Sequence, residues 1–351
     1  MDIFHSHACG LDISDRSVKI VELKKAGKRF ELISVGYREL APGIVEDGTI
    51  LNDTRLAEAI RILAEKHLSA PLTTRRIAIA LPESRTIRYT FTFPKRFTEK
   101  EIEEAIPYEA EKVVPFDTSN AYWDFILQGE RKGSQMVAYA AAPEKLITDY
   151  IEVIAHAGFA LQTATLEAQA LVKSLVSWYN HDELVALIDI GARTSTISIT
   201  DQTGIWFTYS VPVAGNHFTE ATAKALNLPV QEAEVKRIKN GLTLKQIQNA
   251  VMPLLTTIAH DIRKAAVFTE KKVGKKVTKV ILCGGSSLMP GIQDALASEI
   301  KLPIEIGNPW REIEATDKPD TPLLYATVLG LAMRGLDSHS PHTMLNLLKH
   351  N

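Results

Sequence analysis

The sequence predicts an α/β fold built from two similar halves, with a small β-α-β-β unit inserted into the first. Three observations carry this. An apolar strand bearing a single Asp runs into a short turn twice, as LDISDRSVKIVEL over 11–23 and as LIDIGARTSTISI over 187–199. Strand-like and helix-like stretches alternate along both halves, the pattern of layered α/β proteins. Within the first half, a stretch from about residue 83 to 143 changes texture, with alternating aromatic and β-branched residues at its start.

Bulk composition supports two packed units. The chain has 351 residues and is 45% hydrophobic, enough for two substantial cores. A net charge of −2 gives no electrostatic reason to expect nucleic acid or an anionic lipid surface. Cys9 and Cys283 lie far apart with no CxxC spacing, which predicts free thiols and a reducing compartment. The start, MDIFHSHACG, lacks the pattern of a signal peptide, and apolar runs such as MVAYAAA are too short to span a bilayer. The expected location is therefore the cytoplasm. His5, His7 and Cys9 alternate as metal ligands can, but no fourth ligand follows nearby.

Taken in order, strands are expected over 8–23 and 30–37, then a helix from Asn52 to His67 with Leu56, Ile60, Leu63 and Leu68 near one face. RRIAIALP reads as a strand halted at Pro82. The inserted unit begins with the strand IRYTFTFP. Its helix opens on Thr98 and Glu101 at capping-box spacing and closes by Pro115, and AYWDFILQ and SQMVAYAAAP supply two further strands. A helix over 144–157, the strand FALQTATL and the helix EAQALVKSLVSWY complete a first domain, 1–183. The second domain, 184–336, carries the second Asp hairpin, IWFTYSVPVAGN, and helices near 217–227, 231–240 and 243–272. There ILCGGSSLMPGI is a strand that breaks on two glycines before a helix with Pro290 in its early turn. Residues 337–351 read as a flexible tail.

The repeated hairpin has a specific chemical use. Small residues in the turn let backbone N–H groups approach phosphate oxygens unobstructed, which singles out Ser14 in one copy and Gly191 and Thr194 in the other. Asp12 and Asp189 suit Mg²⁺ held through water, because that ion keeps much of its hydration shell. Two such hairpins facing one cleft would grip a polyphosphate from both sides. The turn at Gly284, Gly285 and Ser286 adds a close approach suited to a nucleoside. Neither GxGxxG nor GxxxxGK[ST] occurs, so a Rossmann or P-loop site has no support.

These three pieces, in this order, resemble the actin-like ATPase superfamily, with two domains around a nucleotide cleft. Under that resemblance Glu167 and Gln169 match a first connecting helix and YATVLGLAMRG (325–335) a second. Lys19 holds a position that touches phosphate in some members, Gly215 stands where a Gly-Gly pair is common, and Glu234 with Lys236 or Arg237 resembles the segment framing adenosine. Glu167 also reads as a carboxylate at a helix N-terminus, and Lys236 and Arg237 as a solvated helix face. LDIS…SVKIVELKK, PESRTIRYTFTFP…EIEEAIPYEAEKVVPFD and VILCGGSSLMPGI…GNPW together resemble the PilM family of type IV pilus assembly proteins. That resemblance implies ATP with Mg²⁺ and an inserted subdomain like that of FtsA. It also implies a groove for the N-terminal cytoplasmic segment of a PilN-like inner-membrane protein, which would recruit the chain to the membrane.

The departures narrow the expectation. The first turn reads Asp15-Arg16 where the family has small residues, and Arg193 is bulky for the second. A carboxylate beside a γ-phosphate repels it, so ATP binding with at most slow hydrolysis is expected. Tyr108, Pro115 and Phe116 either line a partner groove or form the core of the inserted unit. Met344-Leu345-Asn346-Leu347-Leu348 resembles the Ile-Asn-Leu-Leu-Pro start of PilN proteins. The tail is thus expected either to occupy the partner groove, in its own or a neighbouring molecule, or to be a frayed helical turn. Two further readings remain: an FtsA-like, self-associating filament former and a small-molecule kinase. The first wants a basic amphipathic C-terminal helix, whereas the tail has Lys349 as its only strong base; the second lacks an evident substrate base.

Overall fold

The structure, a computed structural model, describes residues 7–131, 133–176, 183–315, 318–336 and 344–350. It divides into two compact units: residues 1–174 with 309–351, and residues 175–308.

The first unit opens with an antiparallel meander, β1 (His7–Ser14), β2 (Ser17–Ala26) and β3 (Arg29–Glu39). A short pair follows, β4 (Val45–Glu46) and β5 (Thr49–Ile50), and then α1 (Asp53–Lys66). Asn52 caps α1 by accepting from the Arg55 amide at 2.9 Å, while Leu56, Ile60 and Leu63 bury their side chains every third or fourth residue. β6 (Arg76–Leu81) pairs parallel to β1.

The inserted unit consists of β7 (Ile87–Pro94), α2 (Glu99–Ala110), β8 (Ala121–Arg131) and β9 (Ser134–Pro143), with the strands ordered β7-β9-β8. The capping box at Thr98 and Glu101 forms as expected, but α2 ends at Ala110 rather than running to Pro115. Its core joins Phe91, Phe93, Ile102, Ile106, Phe125 and Tyr139. After it come α3 (Glu144–His156), β10 (Ala160–Leu166), parallel to β6, and α4 (Glu167–Leu175).

The second unit repeats the scheme. β11 (Leu184–Ile190), β12 (Ser195–Asp201) and β13 (Gly204–Val211) form the same antiparallel meander. Helices α5 (Gly215–Leu226), α6 (Val230–Asn240) and α7 (Lys245–Val273) precede β14 (Val277–Cys283), which runs parallel to β11. α8 (Ile292–Ile300) and β15 (Ile304–Ile306) close the unit, giving the order β13-β12-β11-β14-β15. Pro290 lies in the turn ahead of α8 rather than inside it, and its carbonyl accepts from Leu242 N at 2.8 Å.

The chain then returns to the first unit. β16 (Ile313–Glu314) pairs with β3, completing a sheet ordered β10-β6-β1-β2-β3-β16, and α9 (Ala326–Leu336) packs on β1, β2 and β6. This moves residues 309–336 out of the second domain, where the sequence reading placed them. The physical cause is the nearly all-apolar α9, whose Val328, Leu329, Ala332 and Met333 bury against Val21, Leu23 and Phe30. Gly330 lets α9 lie directly on α4, because a Cβ there would fall on the carbonyl of Ala170. Gly330→Ala should therefore destabilise the fold by about 1–3 kcal/mol despite its better helix propensity, measured by denaturant unfolding. An unchanged or higher midpoint would show that the α4–α9 contact relaxes freely.

Candidate functional sites

In the first unit, Asp12 on β1 stands directly across from Lys19 on β2. Lys19 Nζ donates to Asp12 Oδ2 at 2.8 Å, and both residues are buried. The two candidate ligands are thus bonded to each other. Ser14 Oγ donates to the Ser17 carbonyl at 3.1 Å, closing the turn, and Asp15 Oδ1 accepts from Gly48 N at 3.4 Å. The Tyr150 hydroxyl donates to Gly48 O at 3.0 Å. Burial pushes its pKa up, and the charges of Asp12, Asp15 and Glu167 push it further. Glu167 opens α4, where Ala168 N donates to Glu83 Oε1 at 3.0 Å and Gln169 Oε1 accepts from Thr165 Oγ1 at 2.7 Å. Burial raises the Glu83 pKa, and burial lowers that of Arg88 to about 10 despite the charge of Glu83. Tyr150 and Glu83 escaped the sequence reading because each reaches the site from a distant segment.

In the second unit, three loops meet at the carbonyl of Gly191. It accepts from Gly215 N and from Ser286 Oγ, both at 3.0 Å, while Asn216 N donates to Ala192 O at 2.8 Å. The second Asp hairpin, the start of α5 and the Gly284 turn are therefore stitched together. Gly284 has φ +81°, and a Cβ there would fall on Asp189 Oδ1; at Gly285 the corresponding space is open. Ala192, Arg193 and Thr194 are exposed at the hairpin tip. Open backbone at Gly285 and an adjacent carboxylate fit a phosphate-bearing ligand with a water-clad Mg²⁺. Among the described residues no cluster of three His, Cys, Asp or Glu could hold a metal by itself, which a water-mediated ion does not require.

The adenosine-framing candidates separate. Arg237 is buried, and its Nε donates to Thr219 Oγ1 at 3.0 Å, tying α6 to α5. Burial lowers its pKa, opposed by Glu234. Lys236 is exposed and Glu234 half-buried. Of the N-terminal metal candidates, His7 Nδ1 lies 3.1 Å from the buried carboxylate of Glu22, Cys9 is buried, and His5 falls outside the described residues.

A further site lies within the first unit. Residues 344–350 lie beside β8 and β10, the edge strands of their sheets, and turn at Leu347–Leu348, where Lys349 N donates to Asn346 O at 3.1 Å. Leu345 and Leu347 are 0% exposed and join the core that contains Ile126, Ala138, Ala140 and Ala164. Between them, Asn346 Oδ1 accepts from Ala164 N at 3.1 Å, and Asn346 N donates to Asp124 Oδ2 at 2.7 Å. Leu347 N donates to Ala164 O at 2.8 Å, Trp123 N to His350 O at 3.0 Å, and Arg334 Nη2 to Met344 O at 3.1 Å. Lys349 Nζ sits 3.2 Å from the Asp124 carboxylate, which is 1% exposed, and the His350 ring stacks on Trp123 at 4.3 Å. Burial lowers the Arg334 pKa to about 10, and the charge of Asp124 works against that shift.

This corrects the flexible tail expected at 337–351: residues 344–350 are packed, and 337–343 and 351 lie outside the described residues. Two leucines bury roughly 1.5–3 kcal/mol each, and the hydrogen bonds add about 1 kcal/mol each. Ordering the segment costs about 1–2 kcal/mol per residue. The sums are comparable, so the segment is held but releasable. Of the other groove candidates, Phe116 packs against the inserted core, while Tyr108 is 72% exposed and Pro115 is also exposed. The segment's hydrogen bonds go instead to Trp123, Asp124, Ala164 and Arg334.

Residues 10–336 match the family described as "Type IV pilus assembly protein PilM". Among curated proteins, the cell division protein FtsA of Pseudomonas aeruginosa is 26% identical over 212 residues, 52% of this chain and 49% of the relative. FtsA of Escherichia coli K12 is 22% identical over 186 residues, covering 44% of each. The chain thus spans about half the length of the curated relatives it matches. Among solved structures, a chain of a "PilM-PilN type IV pilus biogenesis complex" superimposes with a TM-score of 0.79 at 24% identity, covering 94% of this chain and 98% of that one. The ethanolamine utilization protein EutJ of Carboxydothermus hydrogenoformans gives 0.57 at 18% identity, with coverage of 93% and 89%. MreB5 of Spiroplasma citri, solved with ADP, gives 0.52 at 15%, with coverage of 93% and 95%. These likenesses establish the actin-like ATPase fold that the two repeated sheets describe. With the family match running through both units, the chain belongs to the PilM family of type IV pilus assembly proteins.

Proposed function

We propose that this chain is a cytoplasmic ATP-binding scaffold of type IV pilus assembly. It holds the N-terminal cytoplasmic segment of a PilN-like inner-membrane protein along β8 and β10, where its own residues 344–350 lie. The observation that carries the reading is the groove itself. It takes a short turned segment through main-chain bonds at Trp123 and Ala164, two leucine sites and a buried Asp124, so that both edge strands offer backbone groups to a peptide. The solved relative in complex with PilN supports the same partner class. No helix among the described residues is long and apolar enough to cross a membrane, which suits recruitment through that partner. A photo-cross-linkable PilN-like N-terminal peptide should label residues of β8 and β10. Labelling confined to the second unit would overturn the assignment.

Nucleotide binding rests on the loops around Gly191. Asp189, Gly191, Thr194, Gly215, Gly284, Gly285 and Ser286 would hold phosphate and nucleoside, with Asp189 meeting Mg²⁺ through water. MreB5, on the same fold, was solved with ADP. The first hairpin offers Asp12, Ser14 and Lys19, with Glu167 nearby as the group to orient an attacking water. Asp12 and Lys19 already neutralise each other, and Asp15 adds negative charge beside them. Binding with slow turnover follows. Titration calorimetry with ATP·Mg²⁺ should show Asp189→Ala weakening binding at least tenfold at an unchanged melting temperature; equal affinity would remove Asp189 from the site.

The Asp12–Lys19 pair makes a separate stability prediction. Lys19→Met leaves a buried carboxylate without its cation and should cost about 3–5 kcal/mol. Adding Asp12→Asn to that variant should restore much of the loss in denaturant unfolding. A single variant as stable as the parent would mean that water replaces the lysine. Similarity to FtsA over half of each chain favours one alternative, ATP-dependent self-association. Sedimentation with and without ATP tests it: pelleting that requires ATP would support that alternative.

A further inference from the structure

We propose that residues 344–350 are a built-in competitor for the peptide groove, so that a partner gains the site by displacing the chain's own C-terminal segment. The proposal rests on the reading above that the groove takes a PilN-like peptide, and it adds how access to that groove is controlled.

Three observations point to an exchangeable occupant rather than a permanent strand. The segment occupies two sheet edges without extending either sheet: its only ladder-type contact is the isolated antiparallel bridge between Trp123 and His350. At Ala164 the backbone N–H is answered by the side chain of Asn346, with only the carbonyl taken by main chain. An extended peptide could make both bonds with its backbone or reproduce the Asn. The second observation is Asp124, a buried carboxylate that receives Asn346 N and lies against Lys349. It cannot be left bare without cost, so the groove favours some occupant that supplies an amide donor there. The third is Arg334. Its Nη2 donates to Met344 O, yet its Nη1 is buried with no hydrogen-bond partner among the described residues. A peptide that places a further acceptor at this point gains a bond the resident segment does not make, which gives the exchange its direction.

The occupant chemistry follows from the same contacts. It is a short peptide with two aliphatic side chains flanking an Asn that starts a turn, a main-chain donor for Asp124 and an acceptor before the first aliphatic residue. The resident segment carries this pattern as Leu345-Asn346-Leu347 and adds Lys349 beside Asp124. Because it is tethered, its local concentration is of the order of millimolar, and an incoming peptide has to outcompete that.

Two measurements on the full chain test the idea. The first compares the parent with a Leu345→Ser/Leu347→Ser variant, using two labelled peptides: a copy of residues 341–351 and a PilN-like N-terminal peptide. Both should bind the variant at least tenfold more tightly, because the tethered competitor no longer docks. Equal affinities for parent and variant would overturn the proposal and leave the partner reading standing. Tighter binding of the self-derived peptide alone, with no PilN-like binding to either protein, would overturn the partner reading and keep the self-docking. The second measurement needs no mutation and so does not depend on the variant folding. Hydrogen exchange at the amides of residues 346–349 should accelerate when saturating PilN-like peptide is added to the parent chain. Amides that stay protected while the peptide is bound would show that both are held at once, and the competition would be refuted.

Discussion

An open sheet edge inside a folded unit is a constraint that has to be met, because its unpaired N–H and C=O groups are either answered or become a template for another chain. In the first unit two such edges, β8 of the inserted sheet and β10 of the main sheet, are both covered by one short stretch of chain. The organisation around them depends on this. The same core that holds α1 and α3 against the main sheet also contains Ile126, Ala138 and Ala140 of the inserted sheet, and Leu345 and Leu347 fill it from the segment. Arg334 at the end of α9 and Asp124 on β8 approach each other across that stretch. The insertion is therefore a wall of a peptide-shaped groove as well as a small domain with its own core.

The two hairpins show how one device diverges after duplication. The strand orders β6-β1-β2-β3 and β14-β11-β12-β13 are the same, and Asp12 and Asp189 occupy equivalent places on β1 and β11. What faces each Asp differs. Across from Asp12 stands Lys19, which bonds it; across from Asp189 stands Thr196, which brings no charge, and the Gly284 turn approaches instead. Lys19 pairs with the first carboxylate, and the second lies against the Gly284 turn. A cation bound near the first would have to compete with an ammonium already in place, which separates the two copies chemically even though their backbones agree.

How much of this could be read in advance depended on the range of the interactions. Local signals were legible: the Thr98–Glu101 box, the strand alternation and the repeated Asp hairpin all rest on residues within a few positions of one another. The glycines at 284 and 285 were read as a close approach to a nucleoside; what the fold shows is that Gly284 lies too close to Asp189 for any side chain, while the space at Gly285 is open. The misplacements were long-range. Residues 309–336 follow the second unit in sequence but pack on the first, and only the neighbours of α9 reveal that. The resemblance offered Lys236 or Arg237 beside adenosine, with a solvated helix face as the other reading; Arg237 is in fact buried and bonds Thr219, eighteen residues away, which its spacing did not show. The tail was half-legible. Its Leu-Asn-Leu pattern pointed to a groove, whereas its docking depends on Asp124 and Ala164, which no spacing rule connects to it.

The residues missed from sequence have a common property: each is a buried polar group whose partner lies on a distant strand or helix. Asp124, Glu83 and Tyr150 are of this kind. Burying such a group is unfavourable unless its partner is placed with it, so each pair acts as a fastening that is costly to half-make. Glu83 joins the start of the insertion to the first turn of α4, and Tyr150 joins α3 to the loop that also meets Asp15. The hairpin carboxylates are thereby tied to the elements that frame the insertion, through hydrogen bonds within one unit. Tyr150 itself belongs to the core that Leu345 and Leu347 fill, so the first hairpin and the peptide groove share a neighbour within one unit.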